Sequence, residues 1–219
     1  MRYAIAQLMP YVCLWAALVS SGPVCAQTFS QDVWYDGKVI LDTEDTLTGS
    51  IRFDFPNNLL ELEAANVVKA YSARKVVSFE VFDVVNQQTR QFFSLPFRST
   101  SDYKVPIFFE LLMQGPLTLL CREKLVTEAV PMYGYSPYGY GFGRPGYYGS
   151  RNRIAYDFYF GYPNGNIQSF SGGKKDFYYL VKDHQQALKD FVSEHQLRYN
   201  DREDLRQIVA YYNHLKGGK

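Results

Sequence analysis

The stretch Arg153-Ile-Ala-Tyr-Asp-Phe-Tyr-Phe-Gly161, followed by Tyr162-Pro-Asn-Gly-Asn166 and Ile167-Gln-Ser-Phe170, decides what kind of fold this chain can form. Ile154, Tyr156, Phe158 and Phe160 recur at every second position, and that period puts them on one face of a strand where a helix would scatter them. Asn164-Gly165, set between two aromatic runs, is the strongest short-range hairpin signal in the sequence. The reading at this point is antiparallel β.

The same signature recurs toward the N-terminus. Val33 to Leu41 and Leu47 to Phe55 flank the polar turn Asp42-Thr-Glu-Asp-Thr46 and predict a hairpin. After Pro56-Asn57-Asn58, the run Leu59 to Ala64 puts Leu60 and Leu62 on one face and Glu61 and Glu63 on the other, the latter turned to solvent. Val76 to Val85 and Thr89 to Leu95 bracket Asn86-Gln-Gln88 as a second hairpin, with Val77, Phe79 and Val81 as its core face. Residues 105 to 125 form a third around Gln114-Gly-Pro116. Lys174 to Leu180 reads equally as a helical turn or a last strand. Beyond it the period changes to helical. Asp183 with Gln186, and Asn200 with Glu203, fit helix caps. Leu188, Phe191 and Val192, then Leu205, Ile208, Val209, Tyr212 and Leu215, form apolar stripes that end at Gly217-Gly218. The expected architecture is α+β: an antiparallel sheet or partly open β-barrel of about eight to nine strands (27–182), capped by two C-terminal amphipathic helices (183–219).

Residues 131 to 150 interrupt the strand pattern with Pro-Met-Tyr-Gly-Tyr-Ser-Pro-Tyr-Gly-Tyr-Gly-Phe-Gly-Arg-Pro-Gly-Tyr-Tyr-Gly-Ser. Ordering so much glycine costs backbone entropy, and proline removes ladder donors, so the segment reads as an extended loop between two strands. Tyrosines stack on sugar rings and on other aromatics while losing little rotamer entropy. Tyr133, Tyr135, Tyr138, Tyr140, Arg144, Tyr147 and Tyr148 are therefore the candidate ligand contacts, against a plain low-complexity insertion. Asp157, an acid set among Tyr156, Phe158 and Tyr159, is a candidate pocket residue.

The N-terminus is read separately. Arg2, the apolar run Tyr11 to Val19, Gly22-Pro23 and the small-residue exit at Val24-Cys-Ala26 compose a secretory signal peptide over residues 1–26, cleaved after Ala26. The run is shorter than the ~20 residues that span a bilayer. Val24 before Cys25 disfavours a lipoprotein. Of 219 residues, 23 are Lys or Arg and 22 Asp or Glu; without Arg2 the charges cancel, so no field gathers nucleic acid. Removing residues 1–26 takes Cys13 and Cys25 and leaves Cys121, in the strand-like run Leu117 to Glu123, as a buried small hydrophobe with no disulfide partner in its own chain.

No nucleophile elbow, phosphate loop, His-Glu-x-x-His or Cys-x-x-Cys occurs. His184 and His195 would stand ~16 Å apart along one helix, too far for a shared metal. The acid pairs Glu61/Glu63, Asp42/Glu44/Asp45 and Asp201/Glu203/Asp204 read as a strand face, a turn and a helix start. The expectation is a chain with no cofactor, metal, catalytic residue or span in its mature part, and one that leans away from enzymes.

Several segments carry a resemblance to a family of uncharacterised exported proteins of Bacteroidota: Trp34-Tyr-Asp-Gly-Lys-Val-Ile-Leu41 with Gly49-Ser-Ile51, Tyr71 to Val76 with Phe79 to Asp83, Phe93-Ser-Leu-Pro96, Phe108 to Leu112 with Gly115, Leu119 to Glu123, Arg202 to Leu205 and Val209 to Asn213. The resemblance covers most of the mature chain. It implies a periplasmic or other envelope location and supplies no activity or site residues. The expected function is a non-catalytic binding or structural module of the cell envelope whose partner is a glycan, a lipid or another envelope protein. An apolar-ligand carrier and a glycan hydrolase are the alternatives.

Overall fold

The computed structural model describes residues 33–98, 103–131 and 148–217. The signal segment and most of the glycine-tyrosine segment lie outside these residues. Ten strands form one antiparallel sheet: β1 (Tyr35–Leu41), β2 (Thr46–Asp54), β3 (Leu59–Ala64), β4 (Val67–Ser72), β5 (Val76–Asp83), β6 (Gln88–Phe97), β7 (Val105–Met113), β8 (Thr118–Pro131), β9 (Tyr148–Gly161) and β10 (Ile167–Phe170). Helices α1 (Lys174–Leu180), α2 (Gln185–Glu194) and α3 (Arg202–Gly217) follow. The spatial order is β10-β9-β8-β7-β6-β5-β1-β2-β3-β4, so the sheet is open, with β10 and β4 at its edges.

The connection from β4 to β5 forces the sheet to curl. Four strand spacings separate β4 from β5 along the sheet, ~19 Å if it were flat, while four residue steps from Ser72 to Val76 reach at most ~14 Å. The N-terminal strands accordingly fold back over their neighbours. Ser94 Oγ donates to the Ala73 carbonyl at 2.5 Å. The β2–β3 turn reaches β7 and β8, where the Asn58 carboxamide accepts from the Phe108 N–H at 3.3 Å and from Arg122 at 3.2 Å. Inside the curl Val39, Ile51, Phe53, Leu60, Phe79, Val81, Phe92 and Phe108 are buried as one cluster. A second cluster forms where the helices cover the other end of the same face: Leu119, Cys121, Phe158 and Phe160 from the sheet meet Phe177, Leu188, Leu205, Ile208 and Val209. Asn213 fastens α3 there, accepting from the Leu117 N–H at 3.0 Å and donating to its carbonyl at 2.9 Å.

The four hairpins and the sheet class follow the sequence pattern. Four readings are corrected. Among the described residues strands number ten, since β4 pairs with β3 along Leu59↔Ser72 to Ala64↔Val67. Lys174–Leu180, left open between a helical turn and a strand, is a helix, so among the described residues three helices rather than two follow the sheet. Val77 is exposed while Val76 is buried, because the register between β1 and β5 shifts at Ile40/Leu41 and moves the core face by one residue. Finally, the caps differ. Asp201, not Asn200, caps α3, its Oδ1 accepting from the Glu203 and Asp204 N–H groups at 3.1 and 3.2 Å. Asp183 belongs to a single 3-10 turn and pairs with Lys216 at 2.6 Å instead of capping α2.

Candidate functional site

Three features of the described residues carry chemistry: a projecting arm, a groove at its root, and a buried charge chain beneath the groove. The arm comes from the unequal lengths of the strands. Pairing with β7 ends at Glu110↔Cys121 and pairing with β10 at Phe170↔Phe158. From there β8 and β9 continue together, from Arg122↔Asp157 to Pro131↔Tyr148, a two-stranded ribbon of roughly 30 Å at ~3.3 Å per residue. None of its side chains over 124–130 and 149–155 is buried. Bonds across the ribbon hold it: Lys124 to Asp157 at 2.5 Å, Thr127 Oγ1 to Asn152 Oδ1 at 2.8 Å, and Arg153 to Glu128.

At the root, a groove of about 550 Å³ lies between β9 from Arg153 to Phe158, the chain at Phe170–Gly172 where β10 ends, and Asn200–Arg202 at the start of α3. Gly172 has φ +80°, the left-handed turn by which the backbone leaves the sheet for α1.

Under the groove, charges bridge the two apolar clusters. Arg90 Nε and Nη2 donate to the two oxygens of Glu110, both at 2.9 Å, and Nη2 also reaches Glu123. Arg202 on α3 reaches Glu110 at 2.5 Å and Glu203 at 2.9 Å. The Arg90 guanidinium lies 5.2 Å from the Phe92 ring centroid and that of Arg202 5.9 Å from Tyr156. Burial works against the Glu110 charge, but Arg90 and Arg202 outweigh it and hold its pKa below the usual value. Burial, with Glu123 adding to it, pushes the Tyr156 phenol up to about 12. Burial and the charge of Glu110 raise the Cys121 thiol well above its ordinary value. These directions favour the carboxylate of Glu110 and the protonated thiol of Cys121.

Among the sequence-selected residues, Asp157 does border the groove, with its carboxylate on Lys124. Tyr133, Tyr135, Tyr138, Tyr140, Arg144 and Tyr147 lie outside the described residues. The backbone of Tyr148 closes the arm opposite Pro131. Glu61 takes Arg52 at 2.5 Å, and Asp42 takes Lys75 at 3.1 Å. His195 packs on Phe191, ring centroids 4.4 Å apart, and His184 lies 6.2 Å from Tyr212. Among the described residues no three His, Cys, Asp or Glu side chains are grouped as a metal ion requires.

Sequence reasoning missed Arg90, Glu110, Glu123 and Arg202. The available signal was a charged residue on the apolar face of each strand, Arg90 two positions from Phe92 and Glu110 two from Phe108. Comparison with protein-family models, with curated proteins and with solved structures gives no match.

Proposed function

We propose that this chain is an exported, non-catalytic binding module of the cell envelope, one of the Bacteroidota family it resembles. In this reading the β8–β9 arm, whose last pair Pro131↔Tyr148 flanks the glycine-tyrosine segment in the sequence, reaches toward an envelope partner. The observation that carries the reading is the arm. A two-stranded ribbon is marginal in water by itself, and none of the described side chains over 124–130 and 149–155 adds to the core. Its length is therefore unexplained by the stability of the fold and is accounted for by reach. The segment it carries is rich in tyrosine, which gives large contact area for little ordering cost.

The alternatives have less support. A carrier needs interior space, and the curl is occupied by Phe53, Phe79 and Phe92, whose ring centroids stand 4.5–5.4 Å apart. A glycan hydrolase needs one carboxyl with a raised pKa, and Glu110 is held low by its arginines.

Replacing residues 131–148 by Asn-Gly, which closes the ribbon with a tight turn, tests the reading. The full chain, expressed in a Gram-negative host, is expected to lose residues 1–26 and to co-sediment with envelopes. The shortened chain is expected to melt at an unchanged temperature but to stay in the supernatant. Equal sedimentation of the two, or retention of uncleaved protein in the cytosol, defeats the proposal.

A further inference from the structure

We propose that the groove at the root of the arm binds a neutral saccharide. Its size, about 550 Å³, falls within the range of small-ligand sites, ~300–1,000 Å³. The class of ligand follows from how the charges around it are spent. Lys124 is paired with Asp157, Arg153 with Glu128, and Arg202 with Glu110 and Glu203. Asp201 is committed to the α3 cap and to Arg198 at 2.9 Å. An anionic or cationic ligand therefore meets no uncompensated field, whereas a ligand rich in uncharged oxygens meets a surface of dipoles.

One donor of a lining residue, buried just beneath that surface, is unmet. The Nε–H of Arg202 is buried and has no acceptor, although both terminal nitrogens of the same guanidinium do. A buried donor left unpaired is destabilising, and a hydroxyl or ring oxygen entering from the groove, with a small shift of the side chain, meets it without adding charge. Tyr156 lies under the guanidinium and its ring runs nearly parallel to that of Phe158, 28° between the planes. Phe158 itself is buried, so Tyr156 is the ring that the groove offers to the apolar face of a pyranose. Exposed Asn200 at the opposite wall brings an amide able both to donate and to accept.

The inference rests on the binding-module reading but on none of the tyrosines of the arm. Every variant below keeps residues 131–148, so the two proposals fail separately. The test is calorimetric titration of residues 27–219 with neutral trimers of glucose, mannose and N-acetylglucosamine, and with the acidic trimer of galacturonate, at low and high salt. A neutral trimer is expected to bind with an affinity that salt leaves unchanged. Arg202→Lys, which keeps the charge facing Glu110 but loses the Nε–H, is expected to weaken it about tenfold. Asn200→Ala, at an exposed position where the fold is not at stake, is expected to do the same. Three results overturn the proposal: no neutral trimer binds, Asn200→Ala binds as the parent does, or only the acidic trimer binds and high salt abolishes it.

Discussion

At the scale of single residues, the fold depends on one buried carboxylate. Glu110 is 1% exposed and is shared by Arg90 and Arg202, which hold its pKa below the ordinary 4.5. A carboxyl whose pKa is lower in the folded than in the unfolded chain contributes stability that is complete above the unfolded value and is lost as pH falls through the folded one. Unfolding free energy measured in urea is therefore expected to decline on acidification from pH 4.5 downward, and Glu110→Gln to flatten that decline. At neutral pH the same substitution leaves the buried Arg90 and the half-buried Arg202 short of a partner and is expected to cost on the order of 3–5 kcal/mol. Lys38→Ala, which removes a surface pair with Glu80 at 2.9 Å, is expected to cost less than ~1 kcal/mol. Equal costs for the two would refute the role given to Glu110. Cys121 offers a second readout. Burial raises its thiol pKa well above 9.0, so a thiol-disulfide reagent is expected to leave the native mature protein unlabelled and to react along the urea transition. Prompt labelling in native buffer would contradict its placement.

At the scale of elements, strand spacing is set by glycines that no hydropathy pattern identifies. A β-carbon on Gly37 would stand 2.2 Å from the Glu80 carbonyl oxygen and 2.8 Å from Ile51 Cδ1. Gly37→Ala must push β1 from β5, and calorimetry is expected to show a lower melting temperature for a loss of ~1–3 kcal/mol; an unchanged melting temperature would place the two strands farther apart. Hairpins β1–β2, β5–β6, β7–β8 and β9–β10 were legible because alternation and turn residues are both local properties. Strand β4 was not, since Val67 and Val68 are half exposed at an edge and no alternation of burial marks it. Val77 was misread for a related reason, as a bulge is a property of two strands and one strand's periodicity cannot contain it.

At the scale of the whole molecule, one continuous face of the sheet is buried in two ways: the N-terminal strands curl over one end and the helices cover the other. The charge chain from Arg90 through Glu110 to Arg202 joins them. Removing residues 183–219 is expected to uncover Leu119, Cys121, Phe158 and Phe160 and to yield protein that is insoluble or binds an apolar dye such as ANS. A soluble, cooperatively melting 27–182 fragment would show the sheet to be independent of α2 and α3. The candidate site belongs to this scale as well. Tyr156, Asn200 and Arg202 come from a strand, a loop and a helix, and only the tertiary arrangement brings them around one groove.

The sequence by itself determined the sheet-and-helix class, most of the strands, the apolar stripes of the helices and the burial of Cys121, because alternation, helical period and turn chemistry act over a few neighbouring residues. The strand order, the curl that makes room for a phenylalanine core, the bulge at Val77, the length of chain by which β8 and β9 outrun their neighbours and the pairing of Arg90, Glu110 and Arg202 were decided only by the tertiary structure. The charge chain, for one, joins Arg90 to Glu110 and Glu110 to Arg202, 20 and 92 positions apart, and no local pattern records which distant strand or helix will supply the partner.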